Sequence, residues 1–183
     1  MEFHPLAIEG PVLIVPRRLG DARGLFCETF RADLFAAAIG PMTFVQDNHA
    51  VSAAKGTLRG LHVQAPPMAQ GKLVRVIRGA VLDVAVDIRR DSPGYGRHVA
   101  VELSARNWHQ LWVPPGFLHG YCTLEPETEL LYKVTQPYSP AHDGAVAWND
   151  PDLAIAWPFS EAELVLSGKD RQAPRLRDLP PLF

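Results

Sequence analysis

A chain of 183 residues, 47% hydrophobic and 21% charged, is sized and composed for one folded domain, which excludes a disordered protein. Its 18 basic and 20 acidic residues leave a net charge of −2 with no basic run, so a nucleic-acid binder is not expected. Fourteen Gly and 17 Pro are too many for a helical bundle and point to short strands joined by turns.

In chain order, the first predicted element is a short helix over 31–39, Ala-rich, with Gly40 placed to stop it. A strand over 73–78 follows, and Gly79 supplies the turn into the next. Residues 80–89 alternate, with Leu82, Val84, Val86 and Ile88 on one face and Asp83, Ala85, Asp87 and Arg89 on the other. Strands over 99–103 and 130–134 repeat the pattern, with Asp91-Ser92-Pro93-Gly94 and Pro114-Pro115-Gly116 as turns between them. These spacings predict an all-β antiparallel sandwich or jelly roll. The Pro-rich stretch 151–183 is expected to pack over the outside of a single 1–183 domain. Cys27 and Cys122 lack metal-knuckle spacing, so reduced thiols are expected. The residues after Met1 lack the basic and apolar regions of a signal peptide, and no apolar run reaches membrane-spanning length. A cytoplasmic protein with no membrane partner is the expectation.

Two segments carry polar side chains that local structure does not require. In the first, Arg59-Gly60-Leu61-His62-Val63-Gln64 is followed by Lys72. Strand parity puts Lys72 on the side of Val74 and Val76, so it faces inward if they do. An inward lysine is costly unless an anion meets it; the alternative is an edge-strand lysine reaching solvent. The second segment, Pro115-Gly116-Phe117-Leu118-His119-Gly120, resembles the second motif of the cupin superfamily. In the first cupin motif, His62 and Gln64 would take the place of the paired histidines, and Lys72 the place of the glutamate. Gln is a poor metal ligand and a protonated Lys repels a divalent ion, so a cupin cavity without metal is expected. A satisfied core His119 and a surface His62 are the plainer alternative.

The ordered blocks Asp21-Ala22-Arg23-Gly24-Leu25-Phe26-Cys27-Glu28, Gln46-Asp47-Asn48, Arg59-Gly60-Leu61-His62, Gly71-Lys72-Leu73, Leu131-Tyr132-Lys133, Trp148-Asn149-Asp150-Pro151 and Ser167-Gly168-Lys169-Asp170 go further. Together they resemble the dTDP-4-dehydrorhamnose 3,5-epimerase family, from about residue 4 to residue 173. The resemblance implies a cupin-type jelly-roll barrel and an isomerase without metal or other cofactor. It implies inversion at C3 and C5 of dTDP-4-dehydro-6-deoxy-D-glucose. His62 would be the base, held by Asp170; Tyr132 would be the proton donor, and Lys72 would stabilise the enolate. His119 would line the sugar pocket, Tyr138 would stack on thymine, and Arg23, Phe26, Glu28, Gln46, Asp47, Asn48, Arg59, Asp143 and Lys169 would bind substrate. The resemblance also implies a homodimer that pairs its sheets and shares residues. Val63, Asp143 and Gly168 depart from the family pattern, which commonly has Tyr, Glu and an acidic residue there.

The residue types suit the chemistry. A 4-keto sugar has acidified C–H bonds at C3 and C5, and inversion needs a base on one face and an acid on the other. Three alternatives remain: a mono-epimerase acting at C3 or C5 alone, a non-catalytic nucleotide-sugar-binding cupin, and a metal-dependent cupin.

Overall fold

The computed structural model describes residues 1–183, and its strands form two facing antiparallel sheets. The first sheet runs β1 (Glu2–Pro5), β2 (Val12–Val15), β10 (Gln110–Val113), β7 (Lys72–Arg78), β12 (Thr128–Val134) and β5 (Gln46–Ser52). The second runs β13 (Asp143–Ala145), β6 (Leu58–Gln64), β11 (Phe117–Thr123), β8 (Ala80–Asp87) and β9 (His98–Ser104). Val74, Val76, Leu111 and Leu130 of the first sheet pack against Val81, Ala85, Leu103 and Phe117 of the second. This is the antiparallel jelly roll that the strand spacing predicts. A separate hairpin, β3 (Arg18–Asp21) with β4 (Gly24–Cys27), carries exposed Leu19, Leu25 and Phe26.

The predicted helix forms as α1 (Ala32–Ala38), and Gly40 follows it at φ +120°, a conformation that favours glycine. Its single buried residue, Phe35, stacks edge-on to Trp112 with ring centroids 5.2 Å apart. Phe30 and Phe44 complete this aromatic cap on the outer face of the first sheet. Fully burying a ring such as Phe35 contributes roughly 1.5–3 kcal/mol.

Strand β8 differs from a half-buried strand in a way that matters for the site. Val84 and Val86 do alternate with Asp83, Ala85 and Asp87, but every one of these residues is buried. The face bearing Val84 and Val86 points away from the space between the sheets, where Leu153, Leu176, Trp157 and Phe183 cover it. The face bearing Val81 and Ala85 points inward, and Asp83 lies between them with the same parity. Residues of the stretch 151–183, among them Leu153, Trp157, Leu176 and Phe183, thus pack over the outside of the second sheet. They supply the apolar partner that makes both faces of β8 interior.

Strands β6 and β11 approach unusually closely where the site forms. A Cβ on Gly60 would lie 2.6 Å from the Gly120 Cα, and Gly60 has φ +124°. The register of the two strands shifts at this contact, between His119 and Tyr121. Only glycine fits there, and the shift sets His62 directly opposite His119.

Candidate active site

Between the sheets lies a cavity of about 530 Å³ lined by residues from both, including Arg59, His62, Lys72, His119, Tyr121, Tyr132, Lys169 and Asp170. A smaller lobe of about 180 Å³ shares His62, Lys72 and Tyr132 with it, and adds Gln46, Asn48, Tyr138 and Asp143. Most of the residues expected at the site therefore converge on one cleft.

His62 Nε2 donates to Asp170 Oδ1 at 2.6 Å across 108 positions of chain. Asp170 comes from a short helical turn, α2 (Gly168–Arg171), whose cap Ser167 accepts the Asp170 backbone N–H. The carboxyl is 3% exposed. Burial works against its charge, but the His62 hydrogen bond and charge, the Ser167 hydroxyl and the Gly60 amide together hold it below the usual carboxylate range. The tail does fold back onto the cavity mouth. The dyad fixes His62 with Nε2 protonated and leaves Nδ1 as the ring nitrogen free to accept a proton.

Lys72 is not on an edge. Its strand lies between β10 and β12, and its parity is that of buried Val74 and Val76. Burial pushes its ammonium down to about 8, against the attraction of Asp83 and Asp143. Tyr132 has the parity of buried Leu130 and Val134, and so faces the same space. Burial raises its phenol and the charge of Arg59 partly offsets that, so it remains protonated at neutral pH.

His119 is buried and donates from Nε2 to Asp83 Oδ1 at 2.9 Å. It is thus a cavity-lining histidine with its own carboxylate, a second dyad beside the first. Arg59 stands opposite Tyr121 in the register, and its guanidinium donates to the Val51 carbonyl at 3.3 Å. In the smaller lobe Gln46 donates to Asn48 at 2.8 Å and accepts the Tyr138 backbone N–H at 3.1 Å. Tyr138 donates to Asp143, which also pairs with Lys169. Asp143 is thus long enough to reach both partners, and the Cβ direction of Gly168 meets open space.

Four expected site residues lie elsewhere in this chain. Asp47 has the opposite parity to Gln46 and Asn48, and on the outer face it pairs with Lys133 at 2.9 Å. Arg23, Phe26 and Glu28 belong to the exposed β3–β4 hairpin or the segment after it. Arg23 pairs with Asp21 there, and Glu28 lies 3.9 Å from Arg31. Gln64, in the slot of a metal-binding histidine, is fully used by backbone. It donates to Met68 and Pro137 carbonyls and accepts from Ser139 N–H.

Tyr121, which lines the cavity, and Asp83, buried behind it, escape the sequence reading. Tyr121 is 5% exposed, its hydroxyl has no hydrogen-bond partner, and burial pushes it up to about 12. The Ser52 hydroxyl lies close enough to moderate that rise without meeting hydrogen-bond geometry. Asp83 is fully buried, and its Oδ2 is likewise unpartnered. Parity gave no inward signal for Asp83, since it shares its face with Asp87 and Arg89. Tyr121 gave none beyond its position two residues after His119.

The sequence model of the dTDP-4-dehydrorhamnose 3,5-epimerase family matches residues 5–178. The dTDP-4-dehydrorhamnose 3,5-epimerase of Sinorhizobium fredii is 51% identical over 183 residues, covering 100% of this chain and 93% of that protein. The crystal structure of the Bacillus anthracis enzyme with TDP and pyrophosphate superposes with a TM-score of 0.92 at 45% identity, covering 95% of this chain and 98% of that one. The Legionella pneumophila enzyme in complex with dTDP-4-keto-L-rhamnose gives 0.93 at 42% identity, covering 98% and 94%. With the match spanning nearly the whole chain in sequence and in fold, this protein belongs to the dTDP-4-dehydrorhamnose 3,5-epimerase family.

Proposed function

We propose that this chain epimerises dTDP-4-dehydro-6-deoxy-D-glucose at C3 and C5, giving dTDP-4-dehydro-L-rhamnose without metal or redox cofactor. The observation that carries the reading is the Asp170-held His62 sharing one cavity with protonated Tyr132 and inward Lys72. His62 Nδ1 takes the proton from the carbon next to the ketone. The C–H pair moves into the carbonyl to form an enolate, whose oxygen meets the Lys72 ammonium. Tyr132 delivers its phenolic proton to the opposite face of the same carbon. The phenolate then regains a proton from solvent and the imidazolium loses one, so no net charge or electron is left over. Repetition at the second carbon completes the double inversion.

Arg59 and Lys169 are cations at the cavity and suit a diphosphate. Tyr138 is 57% exposed at the edge of the smaller lobe, and its open ring face supports the reading that it stacks on thymine. His119 lines the sugar end, and Gln46, Asn48 and Asp143 line the nucleotide side. A homodimer accounts for the rest. The hairpin with Arg23 and Phe26 projects from its own chain and is free to enter a second copy's site, with Glu28 just beyond it. Val51 and Ile77, exposed on the outer face of the first sheet, suit pairing of the sheets. No helix is long and apolar enough to cross a membrane, and the proposed partners are the nucleotide sugar and a second copy of the chain.

Incubation of the protein with dTDP-4-keto-6-deoxyglucose in deuterated water tests the assignment. The expected product carries deuterium at C3 and C5 with both centres inverted. Label and inversion at one carbon alone would establish a mono-epimerase, and binding without exchange a nucleotide-sugar-binding cupin.

A further inference from the structure

The unpartnered oxygen of Asp83, buried behind cavity-lining His119, is the strongest unexplained feature near the cavity. A carboxylate with no solvent exposure, set between Val81 and Ala85, is costly where an apolar side chain would pack. One oxygen, Oδ1, is occupied by His119, and Oδ2 has no hydrogen-bond partner in the chain. Inward from the first sheet stands Lys72, an ammonium with no ion pair of its own at contact distance, lining the same cavity as His119. We propose that Asp83 is a positioning residue for two cavity side chains at once, holding His119 through Oδ1 and supplying the buried counter-charge for the Lys72 ammonium.

Each half follows from simple chemistry. An ionised carboxylate only accepts, so Asp83 fixes the His119 proton on Nε2 and leaves Nδ1 for a sugar hydroxyl. For Lys72, Asp83 is the largest influence opposing burial, ahead of Asp143, while Lys169 adds to the cost of the charge. The other titratable groups lining the cleft around Lys72 are His62 on β6, His119 and Tyr121 on β11, Tyr132 on β12 and Asp170 on α2, with Arg59 and Lys169 also in the wall. Asp170 is committed to His62, and Asp143 to Lys169 and Tyr138. Both contacts of Asp143 fall on its Oδ2, and Asp83 is the fully buried carboxylate with an unpartnered oxygen. With Lys72 already at about 8, loss of this counter-charge brings its titration into the working range.

The inference rests on the epimerase reading for its kinetic consequence but not for its direct test. The chain has only four lysines, Lys55, Lys72, Lys133 and Lys169, so 13C-labelled lysine side chains can be titrated one by one by NMR. Comparison with Lys72→Arg assigns the Lys72 signal. In Asp83→Asn, which keeps size and a hydrogen-bond acceptor, the Lys72 titration is expected to fall by ~1 pH unit, the lower end of what a nearby opposite charge does. The alkaline limb of kcat should move down by the same amount, giving ~3-fold less activity at pH 7.5 with a smaller loss at pH 6.5. If Asp83→Asn does not fold, Asp83→Ser takes its place with the same readouts. A Lys72 titration that does not move overturns the proposal, as does a uniform loss of kcat at every pH. Absence of epimerase turnover in the wild type would count against the epimerase reading alone, since the lysine titration is independent of it.

Discussion

Lys72 should weaken the fold that carries it, and the size of the effect follows from its environment. The ammonium titrates at about 8 in the folded chain against an ordinary 10.5, even with Asp83 and Asp143 attracting it. The sign is that of a base whose folded pKa is depressed. Below about pH 8 both states hold the proton, and the folded state carries the full cost of the buried charge. Between about 8 and 10.5 the unfolded chain binds more protons, so stability rises with pH and the cost disappears. At 1.36 kcal/mol per unit, the penalty at neutral pH is ~3 kcal/mol. Lys72→Met keeps the length of the stem and removes the charge. It should therefore raise the melting temperature at pH 7 by ~6–12 °C for a chain of this size while abolishing turnover. Thermal scans at fixed protein concentration between pH 6.5 and 10 would check this. The variant's advantage should shrink steadily above pH 8. A variant no more stable than wild type at pH 6.5, or an advantage independent of pH, would refute the reasoning.

Three further outcomes follow from the same site. Asp170→Asn should lower kcat by ~10²–10⁴-fold, because His62 then loses the partner that fixes its tautomer and stabilises its charged form; steady-state kinetics read this directly, and a loss under fivefold would contradict the dyad. Tyr132→Phe deletes only a proton, so it should impair inversion far more than deuterium wash-in, which His62 still supports from its own face; equal losses in both assays would point instead to a positioning role. Tyr121→Phe removes a buried hydroxyl without a partner and should stabilise the protein against urea by ~1 kcal/mol; destabilisation would mean that Ser52 satisfies it.

The sequence made the second half of the fold legible because its strands alternate and its turns carry Gly and Pro. It said less where both faces of a strand meet the same kind of surroundings. Strand β5, Gln46–Ser52, is polar on both sides because one face lines a substrate cleft and the other bears Asp47 and His49 beside Lys133 and Glu129. No hydrophobic period exists there to find. The block Gln46-Asp47-Asn48 therefore reads as one site segment, although parity sends Asp47 to the opposite face. The reverse holds on β8, where a tail more than sixty residues away buries the face that would otherwise meet solvent. Within the site, His62, Tyr132 and Asp170 were readable through the family resemblance. Asp83 was not, since a carboxylate in an alternating strand ordinarily marks the wet side.

The second sheet works on both of its faces, and the two tasks are mechanically joined. Its inner face presents His62 and His119 to the cavity, with Asp83 buried behind His119, while its outer face, through Val84, Val86 and Leu118, anchors the tail. That tail is pinned at several points. Leu176 N–H donates to buried Asp150, Ala147 N–H to the Pro174 carbonyl, and Thr57 bridges to Val165. Between the last two contacts lies Ser167-Gly168-Lys169-Asp170, which returns to the inner side at the cavity mouth. A short four-residue helix has too few bonds to hold the Asp170 carboxylate by itself. Its position derives from the apolar surface buried on the far side of the sheet. The Pro-rich tail is in this sense part of the cavity wall. Trp157 and Leu176, packed on the outer face, flank the segment whose Asp170 makes the 2.6 Å contact at His62.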